Sequence, residues 1–333
     1  MIDGEQWFEA PEERRSLFAR LLGVHPDGVA LVPAASYGMA VAARNLTARS
    51  CQQVLVLADD FPSGVNTWRA FARKHGVEVL TVRRESEQNW TDAVLGALDD
   101  RVAIASVPSA HWTDGALIDL VRVGERARAC GARLVVDATQ SLGAVELDLA
   151  AARPDYLVAA GYKWLLGPYG LSYLYVAEEH RDGEPLEENW ISRAGSEDFA
   201  GLADYRDDYL PGGRRFDVGE RASFELTPMA NAALRQLLDW KVANIEAALS
   251  GITGEIEDAA RELGIAISSD GARGPHMIGL LLPPERCASA PDALGRAGVH
   301  VALRGRALRI SPHLHVTGDD IGRLTGALRA LVG

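Results

Sequence analysis

From about residue 29 to residue 176 the chain alternates short apolar runs with longer amphipathic stretches, and this alternation limits the fold more than any other feature. The apolar runs are 29–32, 54–57, 77–82, 102–107, 134–136 and 156–160. They are brief, rich in β-branched residues and nearly continuous, as expected of strands buried on both faces. Between them, residues 37–45, 65–75 and 117–130 read as helices. Strands alternating with helices predict an α/β protein with a mainly parallel sheet covered on both sides. Ligands of such sheets sit beyond the carboxyl ends of the strands.

Residues 181–227 change character, with many Gly, charged and aromatic residues and no sustained period. So long a stretch without regular structure is expected to be functional or a linker. Beyond it, 228–263 reads as one or two long helices. Apolar residues at 277–282, a helix near 291–297, strands at 299–303 and 307–311 and a terminal helix from Gly318 follow. The expectation is a large domain over 12–227 and a smaller α+β domain over 228–333, an ordinary division for 333 residues. The net charge of −12 argues against a nucleic-acid or anionic-membrane partner. No apolar run reaches the roughly 20 residues that span a bilayer. The opening Met1-Ile2-Asp3-Gly4-Glu5 lacks the basic and apolar parts of a signal peptide. Cys51, Cys130 and Cys287 are odd in number and far apart, which suits neither a disulfide framework nor a zinc site. A cytoplasmic location is expected.

Two segments carry chemistry. In Leu134-Val135-Val136-Asp137-Ala138-Thr139-Gln140 an acid ends a buried strand. Alone it reads as a cap. In Tyr156-Leu157-Val158-Ala159-Ala160-Gly161-Tyr162-Lys163 a strand runs out to a lysine with apolar neighbours. Alone that lysine reads as a side chain snorkelling into water, yet desolvation there would lower its pKa and suit it to imine formation. Taken together, an acid and an amine at the same ends of successive strands are what pyridoxal phosphate (PLP) needs. The amine forms a Schiff base, and the acid keeps the pyridine nitrogen protonated so that the ring accepts electrons.

With this pair the chain resembles the class V aminotransferase family, fold-type I PLP enzymes that include cysteine desulfurases, kynureninases and isopenicillin-epimerase-like proteins. The resemblance runs over roughly residues 12–330. It implies an aspartate aminotransferase-like large domain around a seven-stranded, mainly parallel sheet, with a small C-terminal domain. It also implies an enzyme acting on an amino acid or amine, as aminotransferase or Cα/Cβ lyase, through a Lys163 Schiff base. Ser36 and Tyr37, in Pro33-Ala34-Ala35-Ser36-Tyr37-Gly38, fall on the family's phosphate-binding loop, where a helix N-terminus favours an anion. Phe61 falls where a ring stacks on the cofactor, Gln140 where a side chain bonds its phenolic oxygen, and Tyr162 where a hydroxyl reaches its phosphate. Asp137 takes the pyridine nitrogen. His111 or Trp112 occupies the loop over the substrate. Arg309 matches the arginine that grips the substrate carboxylate, and its alternation with Leu308 and Ile310 turns it to the opposite side from them. Residues 215–221 resemble a segment that reaches the partner's cofactor, which implies a homodimer with shared sites.

Departures from the family bear on the reaction. No cysteine stands shortly before Arg309, so a persulfide-forming desulfurase is not expected. Ala160 replaces a serine that contacts phosphate, Glu220 stands where some relatives have a hydroxyl residue, and His315-Val316 replaces a Tyr-Asn pair. Relatives begin with a further ~40 residues near the substrate, too short for a domain. These points keep open a non-catalytic or substrate-altered protein of the same fold. A different cofactor has little support, because G-x-G-x-x-G at a strand–helix junction, G-x-x-x-x-G-K-[ST], H-E-x-x-H and G-x-S-x-G are missing. His313 and His315 alone make a weak metal signal.

Overall fold

The computed structural model describes residues 5–85, 88–268 and 271–332; Met1–Gly4, read above for leader character, lies outside them. The strands are β1 (Val29–Val32), β2 (Gln53–Leu57), β3 (Glu78–Val82), β4 (Val102–Pro108), β5 (Arg133–Asp137), β6 (Tyr156–Ala160), β7 (Ser172–Val176), β8 (Ala266–Ile267), β9 (Ile278–Leu281), β10 (Ala302–Arg304) and β11 (Ala307–Ile310). The helices are α1 (Ala10–Leu22), α2 (Ala35–Asn45), α3 (Pro62–His75), α4 (Trp90–Ala97), α5 (Leu120–Cys130), α6 (Leu149–Ala152), α7 (Leu226–Trp240), α8 (Val242–Glu262), α9 (Pro284–Cys287), α10 (Ala290–Arg296) and α11 (Gly318–Val332).

The first seven strands form one sheet in the order β1-β7-β6-β5-β4-β2-β3. Within it β3, β2, β4, β5 and β6 pair in parallel, and β7 runs antiparallel to both β6 and β1. The sheet is therefore the seven-stranded, mainly parallel one expected. Side chains alternate between its faces. Leu55, Leu57, Val136, Leu157 and Ala159 join one core layer, whereas Val54, Val56, Val135, Tyr156 and Val158 join the other. Both faces are dry, which is why the strands read as continuous apolar runs.

Helix α2 lies close against β6. A Cβ at Gly38 would meet Val158 Cγ1 at 2.6 Å, so only glycine allows this approach. It fixes where the N-terminus of α2 falls. Helix α1 is held by buried charge: Asp217 bridges Arg15 at 2.6 Å and Arg221 at 2.7 Å, and its Oδ1 accepts from Leu31 N–H at 2.7 Å. All four groups are out of water, and each carboxylate oxygen has partners, as burial of a charge demands. Within residues 215–221, Asp217 and Arg221 bond within the chain to α1, β1 and each other.

Several element readings change. Strand β7 and the helix α4, capped by the Asn89 side chain on Asp92 N–H, were not expected. Residues 117–119 are extended, with Leu117 bridging Ala110 and Ala116 bridging Arg273, so α5 begins only at Leu120. Strand β10 begins at Ala302, not 299. The helical stretch after 227 breaks at Lys241, whose φ of 65° leaves the helical region. Leu234 and Leu237 of α7 pack into the core of the large sheet, and the second core starts at Ile256 of α8. The second core covers an antiparallel sheet, β10-β11-β9-β8. Among the described residues no helix is long and apolar enough to cross a membrane.

Candidate active site

Because β4, β5 and β6 are parallel neighbours, their carboxyl ends open on one edge, with Pro108 beside Asp137 and Asp137 beside Val158. A cavity of about 240 Å³ lies beyond that edge. Asp137, Gln140, Tyr162, Lys163, Ser36, Phe61 and Trp112 all line it. Seven of the ten residues singled out in the sequence thus meet in one place.

The turn after β5 aims the acid. Asp137 Oδ1 accepts from Thr139 N–H at 2.9 Å, and Thr139 Oγ1 accepts from Ala160 N–H at 3.1 Å, which ties the tips of β5 and β6 together. Burial pushes the Asp137 carboxyl up, while the Thr139 hydrogen bonds and Lys163 hold it down. The loop after β6 is a closed knot. Gly161 N–H donates to Leu171 O at 2.9 Å, Gly167 N–H to Gly161 O at 2.8 Å, and Leu166 N–H to Lys163 O at 3.0 Å. Leu166 takes a positive φ of 56° to complete it. This loop meets the β5 loop at Gly143 (φ 101°), where a Cβ would lie 2.3 Å from Trp164 O. The Lys163 amine projects between the rings of Phe61 and Tyr162, 5.5 and 5.8 Å from their centroids. Burial lowers its pKa, Asp137 raises it, and Arg309 and Arg304 lower it further.

Two helix N-termini face the cavity. Ser36 stands in the first turn of α2, and Ser63 and Gly64 stand in that of α3, which starts with Phe61 as its cap. The first N–H groups of each helix have no intrahelical acceptor. Phe61 is 41% exposed and meets Trp112 edge-on at 5.6 Å, so it is a cavity wall and not a core residue. Tyr162 packs beside Tyr169 at 4.7 Å on the opposite rim.

Two of the ten residues lie away from both cavities. Tyr37 does not line the cavity; it packs on the core beside β6, where burial and Glu187 push its hydroxyl up. His111 is 1% exposed, stacks on Trp90 at 4.7 Å, and bonds Thr113 Oγ1 and Ala58 O. Burial lowers its pKa, and it is a core histidine. Trp112 is the member of that loop that faces the site, held by its Nε1–H on Asp59 O at 2.6 Å.

A second cavity, about 460 Å³, shares Phe61, Trp112, Gln140, Tyr162 and Lys163 with the first. Its far wall is Arg304, Arg309, Ser311 and His313 from the small domain. Arg309, placed here as the sequence implied, donates to Trp112 O at 2.6 Å. His276 donates through Nε2 to Gln140 O, a second tie between the domains.

Sequence reasoning gave no role to Asp60, Thr139, Arg304 or His276. Asp60 lines the first cavity, and burial, with Asp137 adding to it, pushes its carboxyl up to about 7. The signal for Asp60 was its place just before Phe61, at the end of the segment after β2. His313 stacks on Trp164 at 5.7 Å. Asp155, Glu179 and His180 gather ligand atoms within 4.8 Å. They lie at the opposite edge of the sheet, where Asp155 already accepts from Leu134 N–H, Arg133 and His180.

Comparison with known proteins agrees with this geometry. The family model described as aminotransferase class-V matches residues 3–189. The chain belongs to the class V aminotransferase family. Over 332 residues it is 30% identical to an uncharacterized aminotransferase, YcbU, of Bacillus subtilis, covering 96% of this chain and 84% of that protein. With isopenicillin N epimerase of Streptomyces clavuligerus the identity is 26% over 339 residues, covering 96% and 84%. Among solved structures, the cysteine desulfurase of Thermococcus onnurineus superposes with a TM-score of 0.81 at 18% identity, covering 98% of this chain and 85% of that one. The family is PLP-dependent, and PLP is the cofactor here. The residues fit it: a half-buried carboxylate, paired with no guanidinium among the described residues, lines a cavity that also holds an amine, an aromatic wall and a helix N-terminus.

Proposed function

We propose that this chain is a PLP-dependent enzyme acting on an amino acid or amine, an aminotransferase or Cα/Cβ lyase, with Lys163 as the amine that anchors the cofactor aldehyde. The observation that carries this reading is that Lys163 and Asp137, from the tips of adjacent strands, line one cavity with the N-terminus of α2.

When bound, the cofactor supplies an electron sink for a bond broken at the substrate Cα. Asp137 holds a proton at the pyridine nitrogen, because that cation offsets the burial of its charge. Ser36, with the first N–H groups of α2, holds the phosphate, and Tyr162 adds a hydroxyl at the rim. Phe61 would pack on the ring face and keep water off it, and Gln140 would bond the phenolic oxygen. Lys163 Nζ would anchor the cofactor aldehyde and, when free, would carry the proton to or from the substrate Cα; burial lowers its pKa, which favours that role. Arg309 orients the substrate carboxylate, with Trp112 as the neighbouring wall.

None of Cys51, Cys130 and Cys287 lines either cavity, which supports a reaction other than persulfide formation. We read the chain as a homodimer with shared sites. Tyr169, 77% exposed, and Tyr162, 41% exposed, pack together on the cavity wall, an exposed aromatic pair that supports a covering partner.

The test is spectroscopic and kinetic. Protein reconstituted with PLP is expected to show a visible absorption band that vanishes in Lys163→Ala, and to turn over members of an amino-acid panel offered with keto-acid acceptors. A wild-type protein without the band sinks the cofactor assignment. A band without turnover leaves a binding protein.

A further inference from the structure

The small-domain wall of the site carries more positive charge than one carboxylate uses. In the β10–β11 hairpin, Arg304 stands opposite Ala307 and Arg309 opposite Ala302, so the two arginines share one face as diagonal neighbours across a two-residue Gly305–Arg306 turn. Both line the same cavity as Lys163, and no acidic residue does. The Arg304 guanidinium lies 5.4 Å over the Trp112 ring and, among the described residues, donates only to its neighbour's carbonyl, Leu303 O. The Nε atoms of Arg304 and Arg309 are both buried without an acceptor. Among the described residues neither guanidinium meets a carboxylate, whereas the buried Arg15 and Arg221 share Asp217, and Arg14, buried without a carboxylate, is instead bonded to Thr227 Oγ1 and Arg221 O. Arg304 also sits close enough to Arg309 to depress its pKa, after burial.

Two guanidiniums held together, partly out of water and without a counter-ion, repel each other and lose hydration. That arrangement is stabilised by anions. One carboxylate satisfies Arg309; a second anionic group is needed to match Arg304, whose planar fork suits a carboxylate. We infer that the substrate is an amino acid with an anionic side chain, in its simplest form a dicarboxylic amino acid, whose distal acid group binds Arg304. The inference rests on the proposed function of the same site and specifies its substrate class.

Unreactive anions give the test. Succinate, glutarate and the monocarboxylate butyrate are titrated into the PLP-loaded protein by calorimetry at constant ionic strength, and the visible band is recorded on the same samples. The better dicarboxylate is expected to bind at least about tenfold more tightly than butyrate, roughly one extra charged hydrogen bond. In Arg304→Gln the dicarboxylate-to-butyrate ratio collapses toward one. Arg304→Lys keeps part of it, and Arg306→Gln, an exposed change in the same hairpin, keeps all of it. Equal affinities in the wild type, or an unchanged ratio in Arg304→Gln, overturn the inference. Loss of the band with the ratio intact overturns instead the cofactor assignment, so the two failures are separable.

Discussion

Arg309 donates to the main-chain carbonyl of Trp112 at 2.6 Å, so the arginine proposed to bind substrate is itself held by the loop after β4. One guanidinium edge is committed to the protein and the rest is free for a carboxylate. Arg309→Gln is expected to lower kcat/KM about a hundredfold, mostly through KM, the scale of a lost charged pair of hydrogen bonds. Arg309→Lys recovers little, because an ammonium cannot serve the carbonyl and a carboxylate in two directions with a planar fork. Steady-state kinetics on the best substrate of the panel decide this; an unchanged KM refutes the assignment.

Asp137 makes a different prediction. Asp137→Asn removes the charge proposed to hold a proton on the pyridine nitrogen and leaves the shape nearly intact. The variant is expected to stay yellow yet lose about a hundredfold or more in kcat. Absorbance and turnover are read on one sample, and near-normal turnover refutes the role.

Gly143 joins the acid-bearing and lysine-bearing loops at van der Waals limits. A methyl group there meets Trp164 O at 2.3 Å from a backbone with φ of 101°. Gly143→Ala is expected to cost about 2–4 kcal/mol in urea unfolding. A loss below 1 kcal/mol would show that the two loops part easily.

The knot under α1 responds to loss of its anion. Asp217→Ala leaves Arg15 and Arg221 buried without their shared carboxylate, and Leu31 N–H without its acceptor. The expected cost is about 3–5 kcal/mol. Chemical denaturation measures it, and a small effect means that Glu12, also on Arg15, suffices alone.

His276 sets a pH dependence. It is fully buried with only Nε2 bonded, and burial lowers its pKa to about 4, partly opposed by the Gln140 carbonyl. In the folded protein it stays neutral, whereas the unfolded chain takes up a proton near the ordinary value of about 6.5. Its contribution is therefore complete above about 6.5 and is lost as pH falls toward about 4. His276→Gln is expected to flatten the pH profile of melting temperature in that window. A profile as steep as the wild type's assigns the slope to other groups.

What could be read beforehand, and what could not, follows from range. The sheet was legible because each buried strand is a continuous apolar run, and Asp137 and Lys163 because they end strands adjacent both in sequence and in space. Strand β7 was missed because Ser172-Tyr173-Leu174-Tyr175-Val176 mixes polar and apolar residues, and its antiparallel place depends on pairing with β1 far upstream. The partner of Arg309 lies 197 residues away and that of His276 lies 136 away, distances over which spacing carries no information. Tyr37 and His111 looked functional because they sit beside Ser36 and Trp112, yet neighbours on a helix turn or tight loop point to different sides. Arg304 needed the register of β10 on β11 before its companion could be seen.

The backbone ring from Gly161 to Leu171 sets how the lysine can behave once released. Its α-carbon is pinned by main-chain bonds on both sides, so in the proposed cycle release from the cofactor would free only the four torsions of one side chain. Return to the reacting carbon then costs about 2 kcal/mol of rotamer entropy at most, with no segment to refold between cycles. The amine is a short tether on a fixed post, and each turnover starts from the same place.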